Sequence, residues 1–149
     1  MNELNGYDIE DLQEGMSASF SKTITEADII LFAGASGDNN AIHINEQFAK
    51  TTAFGGRIAH GFLTASTISA AIANRLPGPG TVYMSQQMNF LAPVRPGDTV
   101  EATVTVKGMV RDRARVTLRT VCRVNDTVVV EGEALVKVTS AARRLAKAG

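Results

Sequence analysis

Apolar and polar residues change their period twice along this chain. Ala18, Phe20 and Ile24 alternate with Ser17, Ser19, Ser21 and Thr23, a repeat of two that predicts a half-buried strand. Thr25 then opens a helix: its hydroxyl suits an N-cap, with Asp28 as a shortened capping-box partner. Ile29, Ile30, Phe32 and Ala33 give that helix its inward face, and the turn residues Gly37-Asp38-Asn39-Asn40 end it. A short helix follows around Asn45 to Lys50, and Gly55-Gly56 marks a loop.

From His60 to Arg75 small and apolar residues fall on every side, which predicts a helix buried nearly all round. Pro77-Gly78-Pro79-Gly80 stops it. Beyond it the period returns to two. Val82, Met84, Met88 and Phe90 form the apolar set of one strand, and Val100, Ala102, Val104 and Val106 that of the next. Ala114, Val116, Leu118 and Cys122 mark a third; Val128, Val130, Ala134, Val136 and Val138 mark the last. Pro93, Pro96-Gly97-Asp98 and Asn125-Asp126 punctuate these runs as turns. A helix that is apolar on all sides requires a sheet curled around it. The expected fold is therefore α+β, an antiparallel sheet wrapped around a long central helix.

Composition narrows this picture. A chain of 149 residues builds one core without staples, so a single domain over 1–149 is expected, with 139–149 as a short basic tail. Fifteen Lys+Arg balance fifteen Asp+Glu, so no net field points to nucleic acid or an anionic membrane. The stretch from Ile58 to Leu76 is too polar and slightly short for a membrane span. The acidic start MNELNGYDIEDLQEG lacks the basic and apolar regions of a signal peptide. The one cysteine, Cys122, has no disulfide partner, and a reduced, cytoplasmic setting is the expectation.

Two features carry candidate chemistry. The first is GDNNAIHI, where Asp38 and His43 lie on a loop that can curl to bring carboxylate and imidazole together for proton transfer near neutral pH. A turn-capping Asp beside a structural His is the other reading of the same residues. The second is RIAHGFLTAS. His60-Gly61 opens the central helix, whose first N–H groups have no internal partner and favour negative charge in front of them. Gly61, without a side chain, suits an oxyanion site, though an ordinary helix start reads the same way. Neither a nucleophile elbow nor a phosphate loop is present. Two histidines without a cysteine or carboxylate cluster at ligand spacing argue against a metal.

From about residue 10 to 138 the chain resembles the MaoC-like hot-dog hydratases, in particular the (R)-specific enoyl-CoA hydratases. Their motif runs roughly D-x-N-P-x-H, then a spacer, then A-H-G at the start of the central helix. Here Asp38, Asn40, His43 and Ala59-His60-Gly61 stand in register, with Ala41 where proline is usual. The spacer FAKTTAFGGRIAHG and the turn Pro96-Gly97-Asp98 are also similar. The resemblance implies Asp38 and His43 as catalytic residues, Gly61 as the N–H donor to a thioester carbonyl, and Ser69 and Asn40 as supporting residues. It implies reversible hydration of a trans-2-enoyl coenzyme A thioester to the (R)-3-hydroxyacyl product, with no cofactor and no metal, by a homodimer.

Other readings stand beside it. A dehydratase acting on acyl carrier protein substrates shares the chemistry. A hot-dog thioesterase needs a carboxylate on the buried helix, and none lies between His60 and Arg75. A non-catalytic acyl-thioester sensor usually adds a DNA-binding segment, which is not evident. Arg113, Arg115, Arg119 and Arg123 suit the phosphates of coenzyme A or, more simply, a solvated stripe. Met84 and Met88 suit an acyl tunnel or plain core filling.

Overall fold

The computed structural model describes residues 6–149. Five strands, β1 (Ser17–Thr23), β2 (Val82–Phe90), β3 (Thr99–Val110), β4 (Arg115–Val124) and β5 (Thr127–Lys137), form one sheet in the order β1-β3-β4-β5-β2. Every neighbouring pair is antiparallel. The helices are α1 (Glu26–Ser36), α2 (Ala41–Ile44), α3 (Glu46–Lys50), α4 (Gly61–Asn74) and α5 (Ala141–Ala148). The sheet curls around α4, which packs on β1, β3 and β4. The expected α+β arrangement is therefore the observed one.

Local chemistry explains the boundaries. Thr25 and Asp28 form the capping box at the start of α1: the Asp28 N–H donates to Thr25 Oγ1 at 3.1 Å and the Thr25 N–H to Asp28 Oδ2 at 2.9 Å. Gly37 ends α1 in the left-handed region at φ 80°, where a side chain would be strained. Alternation buries Val100, Ala102, Val104 and Val106 of β3 and Val116, Leu118 and Cys122 of β4 against Leu63, Ile68, Ala71 and Ile72 of α4.

Three expectations need correction. The central helix is not buried all round. Leu63, Thr64, Thr67, Ile68, Ala71 and Ile72 face the sheet, whereas Phe62, Ser66, Ser69 and Ala73 lie on the opposite, exposed face. The sheet covers one side only, and small residues on the other side gave the pattern no polar stripe by which to show it. In β2 a register shift between Tyr83 and Ser85 reverses the phase. Tyr83 thereby shares the inner face with Gln86 and Met88, while Val82 and Met84 are exposed. The C-terminal segment is a capped helix and not a tail. The Ser140 hydroxyl accepts from the Arg143 N–H at 3.3 Å, and Arg144 makes a two-pronged ion pair with buried Asp8 at 2.6 and 2.5 Å. Ala, Leu, Arg and Lys are good helix formers, but a helix this short is held by partners from the far end of the chain, Asp8 and Glu10.

Candidate active site

The loop after α1 curls as its turn residues allow. The Asn40 N–H donates to Asp38 Oδ1 at 3.1 Å, and the Asn40 side chain accepts from the Ile42 N–H at 3.2 Å, capping α2. That cap places His43 in the last turn of α2, 7% exposed. Its Nδ1 lies 2.8 Å from the Ile58 carbonyl oxygen, so Nδ1 carries the proton in this bond and Nε2 is left to face Asp38. His43 Nε2 and Asp38 Oδ2 stand 3.9 Å apart. The gap is too long for a direct hydrogen bond. One water about 2.8 Å from each atom fits it. The sequence-level pairing of Asp38 with His43 is thus met in space.

The segment between α3 and α4 is locked by two arginines. Arg57 pairs with Glu26 of α1 and with Glu46 of α3, the latter at 2.9 Å. These hydrogen bonds and ion pairs hold both carboxyls below their usual range. Arg95 donates to the Phe54 and Gly56 carbonyls. The Ala59 N–H then bonds to the Val94 carbonyl at 2.7 Å, leading the chain into α4.

His60 is the N-cap residue of α4, and its side chain makes no capping bond. The first N–H groups of the helix, that of Gly61 among them, therefore remain available to an acceptor. Gly61 has a second reason to lack a side chain: a Cβ there would stand 2.8 Å from the Phe90 ring. His43 and Gly61 line one cavity of about 330 Å³, walled by Phe54, Ile58, Thr64 and Phe90, with Val130 beyond. A largely apolar cavity with an imidazole and a helix N-terminus on its wall suits an acyl chain whose carbonyl meets an N–H donor.

Not every residue singled out from the sequence reaches this place. Ser69 lies two turns along α4 from Gly61, about 12 Å by helical rise, on the exposed face. Thr64, buried, is the α4 hydroxyl that lines the cavity; in a run of small helix residues its position had no distinguishing mark. Phe54 likewise comes from a loop where pattern says nothing about direction. Asn45 caps α3 by accepting from the Phe48 N–H at 3.0 Å. Arg115, Arg119 and Arg123 lie along β4, Arg119 on a polar groove with Lys107, Glu131 and Glu133, and Arg113 sits in the turn before it.

Asp38, His43 and His60 each offer one ligand-type atom within 4.8 Å of the others. One nitrogen of each imidazole is already committed to a backbone carbonyl.

Residues 10–130 match the family described as the MaoC like domain. The chain is 58% identical over 129 residues to an (R)-specific enoyl-CoA hydratase of Rhodospirillum rubrum, covering 87% of this chain and 90% of that protein. It is 51% identical over 136 residues to a 3-hydroxybutyryl-CoA dehydratase of Methylorubrum extorquens, covering 91% and 87%. Its fold superposes on the unliganded R-hydratase PhaJ1 from Pseudomonas aeruginosa with a TM-score of 0.86 and 38% identity, over 92% of this chain and 88% of that one.

Proposed function

The chain belongs to the MaoC-like domain family, and from that premise we propose that Asp38, His43 and Gly61 carry out its hydratase chemistry. The protein is an (R)-specific enoyl-CoA hydratase, a hydro-lyase that adds water reversibly to a trans-2-enoyl coenzyme A thioester. The observation that carries the site assignment is the 3.9 Å gap between His43 Nε2 and Asp38 Oδ2, beside a cavity that His43 and Gly61 share.

The chemistry follows from the substrate's electronics. Its carbonyl withdraws electrons from the conjugated double bond and leaves C3 electrophilic. With that carbonyl on the Gly61 N–H, enolate-like charge is stabilised as the bond to C3 forms; one such donor is worth roughly a hundred- to a thousandfold in rate. Asp38 and His43 hold the water, take a proton from it as its oxygen attacks C3, and return a proton to C2. Positioned acid–base groups contribute about 10² to 10⁴. The electron sink is the thioester itself, so the scheme calls for no cofactor and no metal. Asn40 supports it by fixing Asp38 Oδ1 and capping the helix of His43.

The exposed Phe62, Val82, Met84 and Phe90 support a homodimer in which a second copy covers α4 and the edge strand β2. Sedimentation equilibrium gives its mass. Unpaired, buried Cys122 fits a cytoplasmic setting. Among the described residues no helix is long and apolar enough to cross a membrane.

The test uses crotonyl-CoA. The enoyl absorbance falls and no thiol appears if water adds to the double bond. Coenzyme A release matching substrate loss marks a thioesterase instead. Chiral analysis of the product then reads the (R) configuration.

A further inference from the structure

We propose that His60 is a positioning residue of this site, tying the Asp38 main chain to the first turn of α4. The inference rests on the hydratase reading above. His60 Nε2 lies 3.0 Å from the Asp38 carbonyl oxygen. A carbonyl only accepts, so Nε2 donates, and the other ring nitrogen carries the acceptor lone pair. That nitrogen, Nδ1, is buried and has no hydrogen-bond partner among the described residues, while the ring as a whole is 1% exposed. An imidazole kept in the core with one nitrogen unpaired is costly. A phenylalanine or leucine there would avoid that cost, so what the ring contributes is the bond its other nitrogen makes.

The surroundings aim that bond. One side of the ring meets the Phe32 ring, centroids 4.9 Å apart and tilted by 57°. The other meets the His43 ring, 3.9 Å apart and tilted by 30°. Phe32 comes from α1, His43 from α2, and His60 caps α4, so one buried stack joins the three elements that present the site. Asp38 needs such a brace because its side chain is 49% exposed, and the loop around it has only local bonds: Ser36 Oγ accepts from the Asp38 N–H, and Asp38 Oδ1 from the Asn40 N–H. Since Gly61 directly follows His60, the bond from His60 to Asp38 sets the spacing between the carbonyl donor and the water-holding pair. Small misplacements of reacting groups cost about a hundredfold in rate.

Two amides separate this role from simple core filling. The terminal nitrogen of glutamine occupies the chain position of His60 Nε2, whereas that of asparagine stops at the position of Nδ1. We expect His60→Gln to keep kcat for crotonyl-CoA within about threefold and His60→Asn to lose about tenfold or more. KM should stay within about twofold for both, and their thermal midpoints should fall together. Equal kcat values for the two variants would overturn the proposal. If the asparagine variant does not fold, His60→Phe keeps the stack and lacks the donor: the same kcat loss is expected, and wild-type turnover would overturn the proposal. Failure of the wild-type protein to hydrate crotonyl-CoA would instead remove the reading on which it rests.

Discussion

Oδ2 of Asp38 and Nε2 of His43 face each other across 3.9 Å, while the other polar atom of each side chain is occupied, Oδ1 by the Asn40 N–H and Nδ1 by the Ile58 carbonyl. Each group is thus left with one free atom, and the two free atoms address the same point. A carboxylate and an imidazole that met only to stabilise the loop would close to hydrogen-bond distance. The open gap is what a shared water requires.

Ala41 is the first residue of α2, a place where proline is well tolerated because its N–H needs no partner. Asn40 before it has ψ 129°, within the range that a following proline favours, and is not α-helical. Ala41→Pro should therefore raise stability by about 0.4–1 kcal/mol through the unfolded state and leave kcat unchanged or higher. Chemical denaturation checks it. A lower midpoint at constant slope would show that the loop needs the freedom that alanine gives.

Gly61→Ala should overpack the mouth of the cavity, since the new Cβ meets the Phe90 ring at 2.8 Å. The cost is about 1–3 kcal/mol of stability, with hydration reduced at least tenfold because the ring moves and the N–H donor with it. Pairing it with Phe90→Leu should recover most of the lost midpoint. Thermal scans on the single and double variants read this; a single variant as stable and active as the wild type would disprove the close packing.

Arg144→Ala tests how the C-terminal helix is held. The Arg144 guanidinium keeps the Asp8 carboxyl below the usual carboxylate range, against the opposing effect of burial. A lowered folded pKa means stability that is fully present above the unfolded value, about 3.9, and lost as the pH falls through the folded one. The variant should melt lower than the wild type at pH 7, and the difference should shrink as the pH drops below about 3.9. A difference undiminished at low pH would point away from the ion pair.

Much of this structure was legible in the chain. The alternation of β3 and β4, the capping box of Thr25 and Asp28, and the turn at Gly37 are local chemistry, and the structure has them as read. The approach of Asp38 to His43 was legible too, because a glycine and two asparagines licensed the curl. What was hidden depends on distant partners. Ser69 and Thr64 are hydroxyls on the same helix, and only the path of the sheet decides which one is buried. The slip in β2 after Tyr83 turns on its pairing with β5, and α5 is secured by Asp8 and Glu10 from the other end of the chain. Phe90 explains Gly61 only once β2 lies beside α4.

The measurement that bears most directly on the site is the hydration rate of crotonyl-CoA by Asp38→Asn and His43→Ala, each compared with the wild type at matched fold. Both groups hold the same water, so losing either should leave less than a tenth of normal turnover, with near-native circular dichroism. If either variant folds and keeps more than a tenth, that residue does not move the proton, and the shared-water account is wrong.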